Sequence, residues 1–148
     1  MLTVTRRTVA PPAAVWEVVA DGWSYASWVV GASRMRAVSA DWPAVGEALH
    51  HSAGSWPALL DDTTTVREVE PLARIVLRAE GGPVGSAVVD LTLSPDGPGT
   101  RIEIREDAVS GPGSLVPAPL RQALIWPRNR ETLRRLALLA ERASRPPL

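Results

Sequence analysis

The chain contains no cysteine and no lysine. Without cysteine there are no disulfides, no thiolate nucleophile and no Cys-ligated metal. Without lysine there is no Schiff-base amine and no phosphate-loop lysine. Phenylalanine is missing as well, and histidine is confined to His50 and His51, the only imidazoles available as bases. Neither sign of charge is in excess: 16 arginines stand against 16 Asp plus Glu. That balance excludes the basic surplus on which nucleic-acid binders rely. No run approaches the roughly 20 apolar residues of a membrane span, so stable membrane insertion is not expected. The opening segment Met1-Leu2-Thr3-Val4-Thr5-Arg6-Arg7 lacks the apolar core of a signal peptide, and Pro11-Pro12 follows the arginine pair in place of a hydrophobic segment. A cytoplasmic location is expected.

What is present reads as one globular domain over residues 1–148. The length is 148 residues, with 45% hydrophobic and 22% charged, close to the average of folded domains. Leu2 to Val9 alternates and is rich in Thr and Val, the pattern of a first strand. Pro11-Pro12 ends it and opens a helix, because proline is tolerated in a first turn. Ala14, Val15, Val18 and Val19 mark one face of that helix, and Asp21-Gly22 stops it. A second short helix is expected within Trp23–Val30, closed by Gly31.

From Ala32 to Val109 the chain turns to short alternating runs: Ser33–Ser39, Glu47–Ala53, Leu59–Val69, Ala73–Ala79, Gly85–Leu93 and Thr100–Val109. Turn-rich links separate them, among them Gly81-Gly82-Pro83 and Pro95-Asp96-Gly97-Pro98-Gly99. Strands joined this way form an antiparallel meander. After Gly111-Pro112-Gly113 the period becomes helical. Gln122, Trp126, Asn129, Leu133, Leu136 and Ala140 fall on one seam of a long helix. Arg128, Glu131, Arg134, Arg135, Glu141 and Arg142 fall on the other face. Pro127 inside it removes a backbone donor and is expected to kink the helix or mark its proper start. A sheet with one apolar face must cover that face, and the terminal helix is the only element long enough.

The expected class is therefore α+β, with about seven curved antiparallel strands around a C-terminal helix. This order of elements is that of the helix-grip fold. Local pieces resemble the START-like superfamily, also called SRPBCC or polyketide cyclase/dehydrase-like. They are Pro12-Ala13-Ala14-Val15-Trp16-Glu17-Val18, Tyr25-Ala26-Ser27-Trp28-Val29-Val30-Gly31-Ala32, Trp42-Pro43-Ala44-Val45-Gly46, Val69-Glu70-Pro71, Gly99-Thr100-Arg101 and Arg128-Asn129-Arg130-Glu131-Thr132-Leu133-Arg134-Arg135-Leu136. Together they span nearly the whole chain in order. The resemblance implies a deep apolar cavity between sheet and long helix. The superfamily includes aromatic polyketide cyclases, plant hormone receptors, pollen allergens and lipid-transfer domains, so the fold alone does not select a function.

Strand alternation assigns the inward side chains. Ile102 and Ile104 share a face with Thr100 and Glu106. Val89 and Leu91 point inward from the preceding run, Ile75 and Leu77 from the one before, and Met35 from the first strand of the meander. With Val66 inward, Asp62 and Thr64 are inward too. His51 shares the parity of Leu49, which makes it, and not His50, the inward imidazole. Glu106 and His51 are the candidate acid–base groups, since a carboxylate or imidazole beside apolar surface has a shifted pKa. Gln122 and Asn129, the only side-chain amides, sit on the helix seam with Trp126 and Leu133, where polar groups need partners. Trp23, Trp28 and Trp56 offer flat rings to a ligand. The expected partner is a small hydrophobic molecule, aromatic, polyketide-like or lipid-like, with no cofactor and no metal. Two further readings stay open: a cyclase or dehydratase using an inward carboxylate or His, and an interaction module that forms a homodimer through the exposed sheet face.

Overall fold

The computed structural model of the chain describes residues 1–53, 60–81, 83 and 85–145. Strand β1 (Thr3–Thr8) leads into helix α1 (Pro12–Ala20), a 3-10 turn over Gly22–Ser24 and the one-turn helix α2 (Tyr25–Trp28). Six strands follow: β2 (Ala32–Val38), β3 (Ala48–Ala53), β4 (Leu60–Glu70), β5 (Arg74–Glu80), β6 (Ser86–Asp96) and β7 (Gly99–Ser110). A second 3-10 turn, Pro112–Leu115, precedes the long helix α3 (Ala118–Ala143). The strands form one seven-stranded antiparallel sheet in the order β1-β7-β6-β5-β4-β3-β2. This is the helix-grip fold.

Local chemistry places each boundary. Pro12 occupies the first turn of α1, where its missing N–H costs nothing. Asp21 ends α1 and accepts the Trp23 N–H on Oδ1 at 3.1 Å, which starts the next turn. Gly85 enters β6 with φ +111°, and a Cβ there would run into the Ser110 carbonyl, so no other residue fits without moving β7. Helix α3 runs unbroken through Pro127. The proline leaves the carbonyl one turn earlier without its helical donor, but the helix does not restart there.

The concave face of the sheet is organised in cross-strand rows. One row pairs Ile104 with Leu91 and Leu91 with Ile75. The next pairs Glu106, Val89, Leu77 and Val66 in succession. A third pairs Ala108, Ala87, Ala79, Thr64 and Leu49. Large side chains thus give way to alanines on three adjacent strands. Helix α3 packs against β1, β7, α1 and α2. Its C-terminal half buries Leu133, Leu136, Ala137 and Ala140 at 0% exposure each, sharing a core with Val15, Ile75, Ile102 and Leu93. Truncating a leucine in such a core costs about 2–5 kcal/mol. Thr8 Oγ1 donates to Glu141 Oε1 at 2.7 Å and anchors the end of α3 to the edge strand. On the convex face Arg74 grips Asp90 with two bonds of 3.0 and 2.9 Å.

Among the described residues no helix is long and apolar enough to cross a membrane.

Candidate functional site

Where the alanine row faces the middle of α3, packing leaves a cavity of about 320 Å³. Its floor is Leu77, Ala79, Ala87, Val89, Leu91, Ile104 and Ala108 from β5, β6 and β7. Tyr25, Trp28 and the Val29–Ala32 link form one wall, and Arg128, Asn129 and Thr132 of α3 form the other. Thr132 Oγ1 accepts the Val30 N–H at 3.2 Å, which fixes the two walls to each other. The rings of Tyr25 and Trp28 meet edge to face with centroids 5.6 Å apart, an arrangement that adds rigidity to an apolar wall.

Ionisable groups enter this lining at two places. On β3 and β4, His51 lies opposite Asp62 in the strand register, and both line the cavity. His51 Nε2 and Thr64 Oγ1 are 2.9 Å apart, and the Tyr25 hydroxyl lies 3.4 Å from the same Thr64 oxygen. Burial draws the His51 pKa down, and the nearby Arg36 charge acts in the same direction, so the ring is neutral at neutral pH. Burial also raises the Tyr25 phenol and the Asp62 carboxyl above their ordinary values. Among the described residues Trp28 Nε1 and His51 Nδ1 are buried without a hydrogen-bond partner. The second polar place is Glu106 on β7, whose Oε2 is ion-paired with Arg128 Nη2 of α3. Adjacent residues also tie the strand to the helix: Gln122 donates to the Glu106 carbonyl at 3.0 Å and accepts the Leu2 N–H at 3.0 Å.

Of the residues singled out in the sequence, the cavity brings together Trp28, His51, Asp62, Leu77, Val89, Leu91, Ile104, Glu106 and Asn129. Others lie elsewhere. Ile75, Ile102 and Leu133 are at 0% exposure in the solid part of the core, because the deep end of the concave face is filled by α3. Thr64 is buried behind His51 and reaches it by its hydroxyl. Met35 packs against the core opposite His51 on the outermost strand. Gln122 spends its amide on the backbone bonds given above. Trp23 is 59% exposed and Trp126 is 40% exposed. Trp126 sits about 60° round the helix from Asn129, at 100° per residue, so its wide ring leaves the seam and Arg130 stacks on it at 4.9 Å. Trp56 lies outside the described residues.

Alternation turns Ala79 inward with Ile75 and Leu77, but the expected site residues do not include Tyr25, Arg128, Ala87 or Ala108, which also line the cavity. Tyr25 had one signal: it is the only tyrosine, one turn before Trp28. Ala87 and Ala108 had another, since they share parity with Val89 and Glu106 on runs otherwise filled with large residues. Helical spacing puts Arg128 on the solvent face, and its side chain is 42% exposed. Its length carries the guanidinium back over the cavity.

The fold and a cavity walled by sheet and helix define a helix-grip protein. The chain belongs to the family described as "Polyketide cyclase / dehydrase and lipid transport", whose model matches residues 1–141. Comparison with curated proteins finds no match. Among solved structures it is similar to protein CV1439 from Chromobacterium violaceum, with TM-score 0.72 and 20% identity over 95% of this chain and 96% of that one. It is similar to the di-domain ARO/CYC BexL from the BE-7585A biosynthetic pathway, with TM-score 0.70 and 20% identity, covering 98% of this chain and 50% of BexL. It is also similar to DynU16, a protein of the dynemicin biosynthetic locus, with TM-score 0.63 and 25% identity over 95% of this chain and 46% of DynU16.

The raised Asp62 carboxyl has a consequence for stability. Its largest cause is burial; the Thr63 N–H and Arg36 oppose the rise, and Glu80 adds to it. The folded chain therefore holds this proton more tightly than the unfolded chain. The stability so gained is full below the unfolded carboxyl value and is lost as pH rises through the folded one. Asp62→Asn is expected to raise Tm at about pH 7 and to leave it unchanged at about pH 3, where both side chains are neutral. Thermal melts followed by circular dichroism at both pH values check this, and a lower or equal Tm at neutral pH contradicts it.

Proposed function

We propose that the protein binds a small, largely apolar molecule in the cavity beneath α3. The observation that carries this reading is the alanine row: three adjacent strands carry Ala79, Ala87 and Ala108 where neighbouring rows carry leucine, isoleucine and valine. The space they leave is within the roughly 300–1,000 Å³ of small-molecule pockets. Its lining matches the makeup of such pockets, mainly hydrophobic and aromatic with a few placed polar groups. Membership of a family described by cyclase, dehydrase and lipid-transport activities supports the same reading.

Titration with the neutral fluorophore N-phenyl-1-naphthylamine tests it. Saturable fluorescence enhancement is expected with the wild-type chain. Ala87→Leu, which fills the floor from its middle strand, is expected to weaken binding by roughly tenfold with the circular dichroism spectrum unchanged. Absence of saturable enhancement in the wild-type chain contradicts the reading.

One observation favours a second reading, an acid–base step of cyclase or dehydratase type. A neutral His51, bonded to Thr64, stands opposite an Asp62 whose pKa is raised toward the working range of a general base. Similarity to BexL, an ARO/CYC, and to DynU16, from a biosynthetic locus, supports it. On this reading the wild-type chain exchanges the α-protons of a small aryl ketone in deuterated water. His51→Ala loses that exchange while still binding the fluorophore. Equal exchange by wild type and His51→Ala contradicts it.

A further inference from the structure

The polar groups of the cavity form two sets with different charge. His51 and Asp62 belong to β3 and β4. Arg128 and Asn129 belong to α3 and Glu106 to β7, and β7 lies three strand spacings, about 14 Å, from β4. In the second set Arg128 is already neutralised: its Nη2 is paired with Glu106 Oε2, and Glu106 is 9% exposed at its side chain. Among the described residues the guanidinium has no second carboxylate.

Asn129 is the unusual member. It is 3% exposed and lines the cavity, yet no described residue hydrogen-bonds its carboxamide. The buried side-chain atoms that are shut off from open space and unpartnered are Trp28 Nε1 and His51 Nδ1. The Asn129 amide is not among them, and Asn129 is part of the cavity lining. A buried amide is costly to leave unpaired, and with no partner among the described residues it is placed to pair with a group that enters the cavity.

Charge then limits what enters. A carboxylate brought to Arg128 would meet Glu106 on the same guanidinium, and like charges a few ångströms apart in a partly dry site repel strongly. A neutral head group meets no such opposition. It finds N–H donors on Asn129 and Arg128 and an acceptor on Glu106. We infer that this end of the cavity selects a neutral head that carries a carbonyl acceptor beside an N–H or O–H donor, and rejects carboxylates. Asn129 and Arg128 take the carbonyl oxygen and Glu106 takes the donor. The inference rests on the cavity-binding reading above and adds the chemistry of the ligand's polar end.

Isothermal titration with 2-naphthamide and 2-naphthoate tests it, because the two share shape and differ in charge and donor. The wild-type chain is expected to bind the amide at least about tenfold more tightly. Glu106→Gln leaves Arg128 without its counter-charge and is expected to improve naphthoate binding by about tenfold or more. Asn129→Leu is expected to weaken amide binding by about tenfold without improving naphthoate. Circular dichroism establishes that each variant is folded. A wild-type preference for naphthoate, or a Glu106→Gln ratio equal to that of the wild type, overturns the inference. If the naphthyl fluorophore binds and neither naphthyl acid nor amide does, the inference falls and the cavity reading stands; if none of the three binds, both fall.

Discussion

The arrangement depends on a packing mismatch along α3. One helix lies across one concave sheet, but the two surfaces are complementary over only part of their contact. Toward the C-terminal end, Leu133 and Leu136 are buried in one core with Ile102 and Leu93. Just before that stretch, at the middle of the helix, the sheet offers Ala79, Ala87 and Ala108, and the helix offers Arg128, Asn129 and Thr132. Side chains that short or that polar do not fill the gap, and close-packed interiors otherwise tolerate few voids. The well-packed end holds the helix in place, so the other end stays open instead of collapsing.

Polar groups at the open end fall into ties and free groups. Gln122 fastens α3 to the Glu106 carbonyl and to the Leu2 N–H, and Thr132 fastens it to the link after α2. These bonds are satisfied within the protein and fix the walls. Asn129, by contrast, lines the cavity with no partner for its amide among the described residues, and Arg128 keeps donors beyond the one used on Glu106. The same helix therefore supplies both the frame and the chemistry. A site built on a helix and strands holds its geometry better than one built on loops.

Much of this was legible in the sequence. The order of elements followed from proline and glycine punctuation, from period-two alternation over the strands and from the 3.6 period of α3. Parity put His51, Asp62 and Glu106 on the concave side, and they line the cavity. Parity could not separate a residue in the solid core from one beside a void. Ile75 and Leu77 share a face of one strand, but only Leu77 borders the cavity, because coverage depends on where α3 crosses. Trp126 fitted the helical spacing but sits at the edge of the buried stripe, where indole width decides for solvent. Arg128 was missed for the opposite reason: its Cα is off the stripe, and only the length of its arm brings the charge to Glu106. Parity also turns Leu77, Ala79, Val89, Leu91 and Ile104 of the floor inward, but Ala87 and Ala108 do not stand out, because alanine reads as neutral filler, whereas three alanines side by side on neighbouring strands mean missing volume.

The most direct test of the cavity is residue-resolved. In a titration of the 15N-labelled protein with 2-naphthamide followed by NMR, the Trp28 indole and Asn129 carboxamide signals are predicted to shift together along one saturable curve. The Trp23 and Trp126 indole signals, which belong to exposed rings outside the cavity, are predicted to stay in place. Shifts confined to Trp23 and Trp126 would contradict an internal site beneath α3.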